Sequence, residues 1–198
     1  MGRMRAVTMA AVCVVLVGGC AVRATPSITA VPTASPSTAT ARAAAGPDCL
    51  APQVLGALGF DRDERARAGQ HPDAPDAGPV PGDFVPVLVV ECSTGETLSD
   101  SAGQWAAVTA TRREGDLDAL MAALADGVTP SPTVTCAPGG QRSDLWVVDS
   151  MGDAIRVAVP GSVCGRLPAV VRSALDGLDG VDTEHYPVHL VAPRETAG

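Results

Sequence analysis

Hydrophobic and polar residues divide the chain into three regimes. Ala6 to Val17 is an almost unbroken apolar run behind Arg3 and Arg5. Ala21 to Pro47 is built from Ala, Thr, Ser and Pro, with too little apolar bulk to offset the entropy of ordering it. From Cys49 onward, short apolar segments alternate with Gly- and Pro-containing breaks, and their spacing predicts the elements of one folded domain.

Pro52 followed by Val54, Leu55 and Leu58 predicts a short helix stopped near Gly59. Asp61 to Gly82 is polar and proline-rich and reads as an exposed loop. Loops that long are uncommon in compact domains and are often functional, so it is a candidate binding loop as well as a solvated one. Phe84 to Cys92, rich in Val and Leu, predicts a buried strand, with Pro86 near its start favouring an edge or a bulge. Ser93 to Gly103 supplies turn chemistry. Trp105 to Arg112 predicts a second strand, with Ala106, Val108 and Ala110 on one face and Trp105, Ala107, Thr109 and Thr111 on the other.

Asp116, then Leu117, Leu120, Met121 and Leu124, predicts an amphipathic helix with an acidic cap and a stop at Gly127. Leu145 to Val148 and Ala154 to Val159 flank the turn Asp149-Ser150-Met151-Gly152-Asp153 and predict a hairpin. Leu167, Val170, Val171, Ala174, Leu175 and Leu178 mark a second amphipathic helix, with Pro168 in its first turn and Gly180 beyond its end. Tyr186 to Val191 predicts a last strand. The order is two strands and a helix, twice. A helix stripe and a half-buried sheet need each other, so the expected fold class is α+β: a mainly antiparallel sheet with helices packed on one face, in a ββα-ββα pseudo-repeat.

The first regime ends in Val17-Gly18-Gly19-Cys20. Its apolar run is shorter than the roughly 20 residues a helix needs to span hydrocarbon, and its charged start and small-residue exit are those of a signal peptide. The tetrapeptide resembles the lipobox of the bacterial lipoprotein class. That resemblance implies cleavage after Gly19, alkylation of the Cys20 thiol by a diacylglyceryl group, acylation of the freed amine, and anchoring in membrane lipid through Cys20 on the extracellular face. One acyl chain holds marginally and two or three hold stably. The implied organisation is a signal peptide at 1–19, a lipidated cysteine and tether at 20–47, one α+β domain at 48–192 and a frayed tail at 193–198. Extended at roughly 3 Å per residue, the tether reaches up to about 80 Å from the lipid surface.

Composition narrows the function classes. All 14 basic residues are arginine and 22 residues are acidic; the leader holds two of the arginines and no acid, leaving the mature chain near −10. Phosphate backbones are repelled by such a charge, so nucleic acid is not an expected partner. The bias to Arg, Ala, Gly, Val and Pro is that of a GC-rich genome, and the segment from Cys136 to the last helix resembles parts of actinobacterial secreted proteins, a likeness that brings no activity with it.

Of six cysteines, Cys13 leaves with the leader and Cys20 takes lipid, so Cys49, Cys92, Cys136 and Cys164 remain. In an exported domain they read as two disulfides, with three formal pairings. Cys136 and Cys164 flank the second hairpin and can pair across it, closing about 28 residues for roughly 3 to 4 kcal/mol in the chain-entropy model, which leaves Cys49 with Cys92. No pair has metal-motif spacing, and neither a metal nor a cofactor is expected.

The chemistry-bearing residues are few. Ser150 and Ser162 have no base beside them and no G-x-S-x-G or P-loop pattern is present. His71, His185 and His189 are the candidate bases. His185 and His189 lie four apart on the last strand, which predicts one shared face, and a metal would need a third ligand there. Asp149 with Asp153, and Asp176 with Asp179 and Asp182, sit beside turns that favour Asp on backbone grounds. Trp105 and Trp146 begin corresponding strands and are expected in the core, whereas an exposed pair would be a carbohydrate platform. The expected function is a surface-anchored, non-enzymatic binding or interaction module with an envelope protein or cell-wall ligand as partner. The alternative is an envelope enzyme or accessory factor acting on cell-wall saccharide or peptide, which needs a cleft where His71 or His185 meets an Asp.

Overall fold

Leu88-Val89-Val90 and Leu145-Trp146-Val147-Val148 are continuous apolar runs, the pattern of strands covered on both faces. In the computed structural model, which describes residues 41–61, 63–64, 69–125, 135–136 and 139–194, they form the centre of the fold. The leader, Cys20 and the tether up to residue 40 lie outside the described residues, as do Gly127 and most of Thr129 to Pro138. The described elements in chain order are β1 (Ala43–Ala44), α1 (Pro52–Leu58), β2 (Pro86–Ser99), β3 (Gly103–Glu114), α2 (Asp118–Ala125), β4 (Ser143–Asp149), β5 (Ala154–Val157), α3 (Ala169–Asp176) and β6 (Asp179–Pro193).

The strands make one antiparallel sheet in the order β1-β5-β4-β2-β3-β6. The order is the pseudo-repeat made spatial. In β2-β3-α2 and β4-β5-α3 the first strands lie side by side and antiparallel, with the second strands outside them, so the units are arranged about a local two-fold axis normal to the sheet. On one face Val89, Leu145, Val147, Ile155 and Val157 pack against Leu120 and Leu124 of α2 and Val171 and Leu175 of α3. These two helices share a face as their stripes predict. On the other face Val90, Val108, Trp146, Val148 and Val188 pack against Val54, Leu55 and Leu58 of α1, which gives the sheet its second cover. Each fully buried leucine among them, such as Leu55 or Leu175, contributes up to about 2 kcal/mol by area removed from water.

Two disulfides tie the periphery to this centre. Cys49–Cys92, with Cα atoms 5.4 Å apart, fastens the entry to α1 onto β2. Cys136–Cys164, at 5.5 Å, closes the segment containing the β4–β5 hairpin. This is the pairing expected from their placement.

Four local features depart from the sequence reading. Ala43–Ala44, assigned to the tether by composition, is the edge strand β1 on β5. Ser93 to Gly103 is not a turn throughout: β2 runs on to Ser99, because a bulge between Thr94 and Thr97, with Gly95 at φ 120°, absorbs the glycine within the strand. The turn is confined to Asp100–Ala102, and Gly103 follows it at φ 145°, where an added Cβ would sit 2.0 Å from the Ala192 carbonyl oxygen. The last strand starts at Asp179 rather than Tyr186. Finally, the described part of Asp61 to Gly82 is fastened down, since the Gly78 N–H donates to the Arg156 carbonyl (3.0 Å) and its carbonyl accepts from Ala158 (2.9 Å).

Beside α1, Arg156 and Asp144 form an ion pair in which both side chains are 8% exposed. Arg156 Nε donates to Asp144 Oδ1 at 3.0 Å, and Nη2 donates to Asp144 Oδ2 at 2.7 Å and to the Gln53 carbonyl at 3.2 Å. Burial pushes the Asp144 carboxyl above its ordinary 3.8, with Arg156 pulling it part of the way back. The folded chain therefore binds that proton more tightly than the unfolded chain, and the associated stability is lost as pH rises through the raised value. Desolvation thus outweighs attraction, the usual result for a buried pair. Asp144→Ala, which strands the guanidinium, is expected to cost about 3 to 5 kcal/mol in urea unfolding, whereas Asp144→Leu with Arg156→Met should unfold within about 1 kcal/mol of the parent, or above it.

Candidate functional site

α2 and α3 cover β2, β4 and β5 but leave bare the part of the same face that β3 and β6 supply. Over it lies a groove of about 500 Å³, floored by side chains of β2, β3 and β6 and walled by Arg172 of α3 and by Gln141. Its floor follows from strand alternation. Glu91 on β2 stands opposite Thr111 on β3, Thr109 faces His185 and Thr111 faces Thr183. Thr109 Oγ1 and His185 Nδ1 are 3.0 Å apart.

At the groove's inner end is a buried carboxylate. Glu91 Oε1 accepts from Ser143 Oγ at 2.7 Å and lies 2.8 Å from Arg172 Nη1, while Arg172 Nη2 donates to Ser143 Oγ at 3.2 Å. Arg113 Nη2 is 3.7 Å from Glu91 Oε2, an ion-pair distance without a hydrogen bond. The site therefore joins a strand, a neighbouring strand and a helix by one closed polar network. It holds hydroxyls, two guanidinium groups and an imidazole in fixed positions. Thr109, 7% exposed in the middle of β3, is not presented as a nucleophile.

Two hollows lie on the opposite face, where residues 42–48 and 71–75 run beside α1. One, of about 210 Å³, is lined by Asp48, His71, Arg112, Asp182, Glu184 and Tyr186 among others. His71 Nδ1 is 2.9 Å from Asp48 Oδ2 there. The Tyr186 phenol donates to Glu184, and that carboxylate, burial, Asp48 and Asp182 together push the phenol up to about 12. At neutral pH the phenol therefore keeps its proton, which it donates to Glu184. The other hollow, of about 780 Å³, has Trp146 at its floor and Asp73 and Arg42 at its rim.

The three histidines are dispersed. His185 and His189 do not share a face as their spacing predicts. The β3–β6 register shifts between Ala106 and Ala107, leaving Val188 as an extra residue, so His185 faces Thr109 while His189 pairs with Ala106 on the α1 side. His189 Nδ1 lies 3.0 Å from Glu64 Oε1, an ion-pair distance without hydrogen-bond geometry. With His71 on Asp48, the histidines on the α1 side thus pin the strap after α1. Gln53 adds to this by donating to Asp73 (2.9 Å) and accepting from the Ala74 N–H (2.8 Å). Asp61 and Glu64 cap each other's backbone N–H reciprocally.

The other candidates have structural roles. Asp149 Oδ1 accepts from the Met151 and Asp153 N–H groups at 2.8 and 3.0 Å, so its carboxylate shapes the hairpin turn. Trp146 is fully buried and Trp105 half-buried, so the two form no exposed platform. The groove escaped the sequence reading because Glu91, Arg113 and Arg172 come from three elements. The one available signal was a lone Glu in the apolar run Val87-Leu88-Val89-Val90-Glu91-Cys92. Compared with family models, curated proteins and solved structures, the chain finds no match.

Glu91 is 3% exposed and is, among the described residues, the one carboxylate at ion-pair distance from both arginines, so Glu91→Gln leaves two cations over a desolvated floor. The expected loss is about 2 kcal/mol in urea unfolding, smaller than for Asp144→Ala because Arg172 is about one-third exposed and water screens it.

Proposed function

We propose that the chain is a lipid-anchored, non-enzymatic binding module of the cell envelope, held through Cys20 and presenting the β3–β6 groove to a partner. The observation that carries the reading is the groove itself: a preformed floor of hydroxyl, guanidinium and imidazole groups, fixed by the Glu91–Arg172–Ser143 network, on the face that α2 and α3 leave bare. Preorganised polar groups reduce the ordering cost of binding. The signal-peptide pattern, the lipobox resemblance and the two disulfides support an exported, anchored location.

The chain contains no lysine, so amine-directed cross-linkers find no side chain to attack. A photoreactive residue in place of Thr183 is therefore the probe of choice in cells, with the same residue at Met151, 85% exposed at the tip of the β4–β5 hairpin, as control. Position 183 is expected to capture one recurrent envelope component that position 151 does not, and Cys20→Ser to release the chain from the membrane pellet. Equal capture at both positions, or Cys20→Ser chain remaining in the pellet, overturns the reading.

One observation favours the alternative of an envelope enzyme or accessory factor acting on wall saccharide or peptide. His71 meets Asp48 at the wall of the 210 Å³ hollow, an orientation suited to a general base. On that reading the full chain hydrolyses purified wall material, and His71→Ala lowers the rate by about 10²-fold or more. Absence of turnover, or a His71→Ala rate equal to the parent's, removes it. As a strap pin alone, the partly exposed pair is worth about 1 kcal/mol or less.

A further inference from the structure

We propose that the β3–β6 groove is a carboxylate site for an acidic sugar of the uronate type, with Arg113 as the residue that takes the carboxylate; this rests on the groove being the binding surface. The arginines differ in how their guanidinium groups are satisfied. Arg156, 8% exposed, is engaged through its Nε and Nη2, which form a side-on fork to one carboxylate. Arg172 is engaged by Glu91 and Ser143. Arg113 is four-fifths covered, yet its Nε, closed off from solvent, has no partner and its Nη2 stays 3.7 Å from Glu91. Among the described residues its guanidinium makes no hydrogen bond. A guanidinium taken largely out of water with its fork unfilled lacks the acceptor that such groups take up bidentately.

Glu91 already spends one oxygen on Ser143 and Arg172, so it does not complete that fork in this arrangement. The charge balance agrees. The groove is lined by Arg113, Arg172, Glu91 and Glu96, and the adjoining hollow, which shares Gln141 and Arg172, adds Arg166. Among the described residues Arg166 has no acidic partner, so the combined surface holds three cations against two anions and accommodates one more carboxylate.

The rest of the lining says what carries that carboxylate. Ser93, Thr94, Thr109, Thr111 and Thr183 present hydroxyls or lie beside them, and no large apolar side chain lines the groove. A peptide carboxyl terminus with large apolar side chains finds no pocket for them here. A sugar acid brings hydroxyls, which match donors and acceptors fixed on a sheet.

The experiment is an NMR titration of the full, isotope-labelled chain in detergent micelles with three probes: D-glucuronate, D-glucose and acetyl-alanyl-alanine. A ligand of this size is expected to bind with a Kd of order 1 mM. Glucuronate should shift the Arg113 Nε–H resonance, with glucose at least tenfold weaker. Arg113→Gln should weaken glucuronate about tenfold or more, with Arg113→Lys intermediate because it keeps the charge and loses the fork. Unchanged urea midpoints establish that the variants are folded. Equal affinity for glucose and glucuronate, glucuronate binding indifferent to Arg113→Gln, or no shift at saturating probe overturns the proposal. So does tighter binding of acetyl-alanyl-alanine, which would reassign the site to a peptide carboxylate. Failure of the titration with Thr183 photocapture intact condemns the ligand class alone, and failure of both condemns the groove.

Discussion

The fold depends on one antiparallel pair, β2 against β4, registered with Val90 opposite Trp146 and Val89 opposite Val147. Successive residues of each strand point to opposite sides, so this pair supplies apolar floor to two cores at once. Slipping the register by one residue would turn Glu91 and Asp144 into the wrong layers. That constraint explains why two buried acids are tolerated on these strands. Each lies at the margin of its core and meets an arginine from another element, Arg172 for Glu91 and Arg156 for Asp144. The two-fold relation between β2-β3-α2 and β4-β5-α3 follows from the same pair, since the remaining strands only extend the sheet outward from it.

Legibility in the sequence tracked burial. β2 and β4 were readable because both faces are covered and the apolar run is continuous; α2 and α3 were readable because one face is covered and the stripe is helical. The first half of β6 was not, because Asp179 to His185 is exposed and carries no alternation to detect. β6 is also the outer edge of the sheet, and its polarity has its own logic. Pro187, the acids Asp182 and Glu184, and bulges at Val181, Val188 and Val191 all blunt a 15-residue edge that would otherwise template pairing with another chain. The Val188 bulge alone, lying between them, overturns the simple period-two placement of His185 and His189. β1 was hidden for a different reason: two alanines carry no pattern, and only β5 makes them a strand.

The strap after α1 shows how polar sequence becomes fixed structure without a core of its own. Asp48–His71, Gln53 with Asp73 and Ala74, and Glu64–His189 are single polar ties, each weak and partly solvated. The bridge from Gly78 to β5 is stronger in kind, because it places backbone N–H and C=O groups on an edge that would otherwise be open. Gly78 fits there because an added Cβ would come within 3.0 Å of the Ala41 Cβ. Four ties in parallel order a segment that hydropathy alone describes as a loop, which is why the two hollows beside it have defined walls.

An anionic ligand for so acidic a chain raises a question of range. The chain carries a formal net charge of −8, and at physiological salt the Debye length is about 8 Å. Surface charges farther than that from the groove are screened. Arg113 and Arg172 would lie within hydrogen-bonding reach of a bound carboxylate, in a partly desolvated setting where screening is weak. Local attraction therefore decides the bound state, and the global charge acts on the approach. Lowering ionic strength would strengthen the contact but lengthen the repulsion felt during encounter, so association should slow as dissociation slows. A site that took a cation would show the opposite sign in association.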